Sequence, residues 1–72
     1  MNEHMKRLLD WCHEERIEAR KALALYEQGR MTFRANNVDV TEEQKASLRR
    51  IIDDLSRIID RIEADESDSF ND

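Results

Sequence analysis

Apolar residues recur at three- and four-residue steps through the second half of the chain, at Leu48, Ile51, Ile52, Leu55, Ile58, Ile59 and Ile62. At about 100° per residue these seven fall within an arc of roughly 120°, the single stripe of an amphipathic helix. The pattern predicts a helix over 42–64. Ahead of it, Thr41-Glu42-Glu43-Gln44 fits a capping box, in which the Thr41 hydroxyl accepts the N3 amide proton and Gln44 reaches back to the Thr41 amide. On the outer side Arg49 with Asp53, Arg50 with Asp54, and Asp53 with Arg57 sit four apart, each pair supporting a solvated surface.

A second helix is predicted over 3–28. Met5, Leu8, Leu9, Cys12, Ala19, Ala22, Leu23 and Tyr26 share one side, Glu15 and Arg16 interrupt the stripe at its middle, and Trp11 and Leu25 widen it toward about 200°. A face that wide can touch two neighbours. Gly29, the only glycine, stands where a left-handed C′ residue ends a helix at no steric cost. In the connector, 29–41, apolar and polar residues alternate on both sides of Asn36-Asn37, a pair that tolerates positive φ. A short two-stranded turn, with Met31 and Phe33 facing Val38 and Val40, is favoured over continuation of the first helix through Arg34. Residues 65–72 are acidic and small with one apolar residue, Phe70, and predict a disordered tail. In such a tail Phe70 reads as a stray apolar residue ahead of a docking motif, and Ser67 and Ser69 among acids suit an acidophilic kinase.

The fold class is therefore all-α: one domain over 1–64, an antiparallel helical hairpin with an ordered connector. Such a hairpin pairs positions whose numbers sum to roughly 70, bringing Leu9 near Ile62, Cys12 near Ile58 and Ile59, Ala19 near Ile51 and Ile52, and Leu23 near Leu48. Arg16 then lands near Leu55 and Asp54. Two helices make only one layer, and apolar stripes this broad need cover on a second side. Two hairpins closing into a two-fold four-helix bundle supply it without disulfide or metal. The expected partner or dimer interface is Leu8, Trp11, Cys12, Leu48, Ile51, Ile52, Leu55, Ile58, Ile59 and Ile62, with Trp11 fitting either a hot-spot anchor or a core filler. A homodimer is the first expectation and an unidentified protein partner the second.

Composition narrows the chemistry. Of 72 residues, 17 are acidic and 12 basic, for a net charge of −5, which repels phosphate backbones unless the basic residues gather on one face. Arg16, Arg20, Lys21, Arg30 and Arg34 are the candidates for such a nucleic-acid surface, the alternative function. Basic residues of the first helix scatter around the wheel among acids, however, so a solvated face is the preferred reading. No apolar run approaches the ~18 residues that span a bilayer, and the N-terminus lacks the apolar core of a secretory signal, so a cytoplasmic chain is expected.

A lone cysteine excludes an intrachain disulfide and a Cys-rich zinc site within one chain. His13-Glu14-Glu15-Arg16-Ile17 begins like a zincin helix, but Ile17 stands where the second histidine must be. His4 and Cys12 lie more than two helical turns apart, about 12 Å, and adjacent Cys12 and His13 point about 100° apart with no third group to orient them. An intersubunit site at Cys12 and His13 is outweighed by a buried thiol beside a surface histidine. A di-iron bundle needs Glu-x-x-His, and no histidine here follows a glutamate by three. One glycine builds no phosphate-binding loop. The sequence thus predicts a small non-catalytic interaction or adaptor module with no cofactor and no metal.

Overall fold

The computed structural model describes residues 2–71, with side chains as far as Asp65. Helix α1 spans Glu3–Glu27, strands β1 and β2 span Arg34–Ala35 and Val38–Asp39, and helix α2 spans Thr41–Asn71. The two helices pack against each other, with the two-stranded hairpin between them at one end.

Each boundary has a local cause. Asn2 caps α1, its side-chain oxygen accepting the Met5 amide at 2.8 Å. At the other end the Gly29 amide donates to Tyr26 O and the Arg30 amide to Leu25 O, at 3.1 and 3.0 Å, with Gly29 at φ +70°. That is a Schellman closure, and it needs the left-handed residue that glycine supplies. Met31 then turns inward and packs beside Tyr26, Ala19 and Leu48. Strand pairing is antiparallel, Arg34 opposite Asp39 and Ala35 opposite Val38, and the Val40 amide extends it by donating to Phe33 O at 2.8 Å. Asn36 and Asn37 take φ of 52° and 67°, both positive as the two central residues of a type I′ turn require. Phe33 thus faces Val40 as expected, while Met31 belongs to the helical core and not to the strand pair.

The start of α2 differs from the sequence reading. The expected capping box is replaced by a cap from Asp39, whose carboxylate accepts the Thr41 amide at 2.9 Å and the Thr41 hydroxyl as well. For the Thr41 amide the Asp39 carboxylate outcompetes the neutral Gln44 side chain, because the hydrogen bond is charge-assisted and sits at the positive end of the helix, while the Gln44 amide donates to Val40 O at 2.9 Å. Thr41 Oγ1 instead accepts the Phe33 amide at 3.0 Å and ties the connector to α2. Helix α2 runs to Asn71, and the side chains of the expected tail beyond Asp65 lie outside the described residues. Nothing in 65–71 is Pro or Gly, so no residue there breaks the backbone ladder. Asp72 and the side chains of Ser67, Ser69 and Phe70 lie outside the described residues.

The core is thin and divided. Cys12, Leu55 and Ile59 form one cluster with Leu9 against it, and Ala19, Tyr26 and Leu48 form a second with Ala22, Leu23, Met31 and Ile52. Cys12 with Ile59, Ala19 with Ile52, and Leu23 with Leu48 all sum to 71, within one residue of the expected register. Between the clusters stands Arg16, half-buried and donating from Nη1 to Ser56 Oγ at 3.1 Å. Lys45 closes the connector end, its stem largely covered and its Nζ 3.1 Å from Glu42. The resulting rod measures 55 × 21 × 17 Å, with a radius of gyration of 16.1 Å against about 11 Å for a compact chain of this length.

Candidate interaction face

The hairpin has two unlike sides. Along each helix, positions step by about 100°, so the direction of every side chain relative to the seam follows from its number. On one side lie His13, Arg16 and Glu27 of α1 with Arg49, Ser56 and Glu63 of α2, rotated roughly 40–100° from the seam in the same sense. These make the polar contacts that cross between the helices. Arg49 Nη2 sits 3.3 Å from Glu27 Oε1, and His13 Nε2 lies 4.0 Å from Glu63 Oε1. Arg16 reaches Ser56 and also brings Nη2 to 3.5 Å from His13 Nδ1. All are partly or largely solvent-exposed, so each contributes little energy; together they mark which side is wet.

Rotation in the opposite sense, by roughly 40–140°, gives the other side. Here stand Leu8, Trp11, Ala22 and Leu25 of α1 and Ile51 and Ile58 of α2. In an antiparallel pair, side chains rotated in the same sense share one face of the pair, so these six form a single surface. Trp11 is 53% exposed, Ile51 45%, Ile58 43%, Leu8 40% and Leu25 39%. Five large apolar side chains on one face of a narrow rod form a patch of the kind that marks contact with another molecule. Glu15, Glu18 and Asp54 cross the middle of this face, and Arg61 lies toward its terminal end.

The ten residues expected at a partner interface therefore divide. Cys12, Leu48, Leu55, Ile59 and Ile62 are buried between the two helices of one chain, with exposures of 0–8%, and Ile52 is half-buried there. They hold the hairpin together. Leu8, Trp11, Ile51 and Ile58 are on the open face, and Leu25, left out of the interface set, joins them. The basic candidates are not brought together. Arg16 is engaged across the seam, Lys21 lies on the outer side 3.5 Å from Glu18, and Arg34 is folded onto its own turn, donating to Asn37 O at 2.8 Å. Arg20 is exposed one helical turn from Arg16, and Arg30 is exposed beyond the end of α1.

The chain matches no protein-family model, no curated protein and no solved structure.

A second feature lies at the connector end, where an open cavity of about 410 Å³ is lined by Tyr26, Gly29, Met31, Thr32, Asp39, Thr41, Glu42 and Glu43. Its carboxylates serve the helix start. The two hydrogen bonds from Thr41, side chain first and backbone second, hold the Asp39 carboxyl below its ordinary range, with nearby Arg34 adding to the effect. Among the described residues no group of three or more His, Cys, Asp or Glu is placed to hold a metal ion, and no helix is long and apolar enough to cross a membrane.

Proposed function

We propose that this chain is a small non-catalytic protein–protein interaction module that self-associates, two hairpins closing into a four-helix bundle through their apolar faces. One observation carries the reading: Leu8, Trp11, Leu25, Ile51 and Ile58 stand 39–53% exposed on one side of a rod whose total surface exceeds that of a compact chain. The chain exposes 5777 Å² where a compact 8.6 kDa monomer exposes about 4,700 Å². The surplus of about 1,100 Å² exceeds the ~800 Å² that each partner contributes to a standard interface. The same surplus supports a folding argument, because a hairpin with Ile59 and Cys12 as the largest fully buried side chains among the described residues gains most from a second layer.

The polar groups a catalytic reading would recruit are spent on structure. His13 faces Arg16 and Glu63, Asp39 caps α2, and Cys12 is sealed between the helices. The cytoplasmic location that accompanies this reading rests on that single unpaired, buried thiol. Light scattering coupled to size exclusion, run from low micromolar to submillimolar concentration, tests the proposal. A mass of twice the chain is the expected result; a folded monomer throughout that range overturns it.

A further inference from the structure

Resting on that reading, we infer that Trp11 is the anchor of the interface: the energy of self-association is concentrated in this one side chain, which the second copy receives on an apolar position of its own open face.

Within the single chain Trp11 has no enclosing role. It belongs to neither core cluster and stands 53% exposed, more than Leu8, Leu25, Ile51 or Ile58 on the same face. A tryptophan presents up to about 250 Å², so roughly 130 Å² of Trp11 stays wet in each chain. Hot spots are enriched in tryptophan because it joins a large apolar area to few rotatable bonds. Its neighbours complete the setting. With a rise of 1.5 Å per residue and facing positions that sum to about 71, Leu8 lies about 4.5 Å from the level of Trp11 toward the terminal end and Ile58 about 3 Å toward the connector. Trp11 therefore stands in the middle of the larger apolar group of the face, flanked by side chains that keep water out once it is covered.

Levels along the rod also say what Trp11 meets, and the answer is of one kind for both two-fold ways of stacking the faces. With the axis along the rods, each level meets itself and α1 covers the partner's α2. Trp11 then lands between the partner's Ile58 and the stem of the partner's Arg61. With the axis across the rods, midway between the levels of Leu8 and Leu25, heights are reflected and α1 covers the partner's α1. Trp11 then lands at the level of the partner's Ala22, and Leu8 at that of the partner's Leu25. Ala22 is the one small residue among the apolar positions of the face, and the bulk it lacks leaves room for an indole. Glu15, Glu18 and Asp54, all within about 4.5 Å of one level, fall on the same acids of the partner either way. The middle of the interface thus supplies little favourable energy in either stacking, whereas Trp11 reaches apolar surface in both.

Two independent measurements test this. The chain holds one tryptophan, so its fluorescence reports on this position alone. Over the concentration range in which the mass doubles, the emission moves to shorter wavelength and quenching by acrylamide falls about twofold or more, with the same midpoint as the mass. Substitution supplies the second arm. Trp11→Ala weakens dimerisation at least about a hundredfold, because two such side chains are lost per dimer, against roughly thirtyfold for Ile58→Ala. Trp11→Phe keeps most of the apolar area and weakens it about tenfold or less. Circular dichroism confirms that each variant keeps its helices, and the fluorescence arm, which uses the unaltered chain, stands even if a variant misfolds. A wild-type dimer whose emission and quenching do not change on association, or which Trp11→Ala weakens less than Ile58→Ala does, removes the anchor from Trp11 and leaves self-association standing. A wild-type monomer at every concentration overturns both.

Discussion

Ile58 and Ile59 are adjacent in sequence and chemically identical, yet they do different work, and truncating each to alanine separates folding from association. Ile59 is 2% exposed within the first core cluster. Removing its three outer carbons forfeits about 2.4 kcal/mol of transfer free energy, and the cavity left behind raises the loss to about 3–4 kcal/mol. Ile58 is 43% exposed, so the single chain loses only a little over half of the transfer contribution, about 1.4 kcal/mol, with no enclosed cavity to add. In the proposed dimer the remaining fraction is covered by the second chain. That is about 1 kcal/mol per chain and about 2 kcal/mol per dimer, or roughly a thirtyfold weaker dimer. Urea unfolding at concentrations below the dimer dissociation constant reads the first quantity, and sedimentation equilibrium reads the second. Equal destabilisation of the dilute chain by Ile58→Ala and Ile59→Ala would refute the two-sided geometry. An unchanged dimer constant in Ile58→Ala would remove that residue from the interface.

Other substitutions probe the local devices. Gly29→Ala lowers stability by about 1–2 kcal/mol through backbone strain alone, since φ is +70° and an added Cβ has no atom within 4 Å; thermal unfolding measures it. Asp39→Ala removes the α2 cap, and its effect depends on pH in a defined sense. The folded carboxyl is held below its unfolded value, so the stabilisation is fully present above pH ~4 and is lost as the pH falls through the lowered folded value. Melting curves of wild type and Asp39→Ala therefore stay apart from neutrality down to about pH 5 and converge in stronger acid. Arg16→Leu, which swaps a half-buried guanidinium for an apolar side chain between two hydrophobic clusters, leaves the urea midpoint unchanged or raises it. A lower midpoint would assign the Arg16–Ser56 contact more weight than its exposure allows.

Much of this fold is legible in the sequence because its determinants are local. Three-and-four spacing of the isoleucines, the single glycine after Tyr26, and Asn36-Asn37 each act within a few residues, and the structure follows all three. The start of α2 is less legible because Thr41 fits the capping pattern, but Asp39, two residues earlier, offers a charged oxygen that takes the amide and hydroxyl of Thr41 itself. The division of the isoleucines is harder still. A helical wheel places Ile58 and Ile59 on one stripe, and only the line along which α1 meets it determines which is enclosed. A signal for that line was present in the complementary charges at Glu27 and Arg49 and at His13 and Glu63, whose sums of 76 place them together on one flank once the register is near 71. Leu25 was legible too, since with Trp11 it widens the apolar side of the first helix to a breadth that calls for a second neighbour, yet it stands outside the interface set.

The two flanks also explain how one small chain can be specific twice over. Internal register is set by contacts with no equivalent elsewhere along the rod: one Arg16–Ser56 hydrogen bond between two apolar clusters, and Glu27–Arg49 near the connector. A slip of α2 by one helical turn breaks both and moves Ile59 off Cys12, so the wet flank selects the hairpin although each of its contacts is weak. The dry flank is relieved of that task. Its apolar side chains are not needed to choose between α1–α2 registers, which leaves them free for the contact proposed above. Polar contacts that contribute little to stability within the chain can thus contribute strongly to uniqueness, while the apolar residues they leave uncovered would carry the energy of the proposed association.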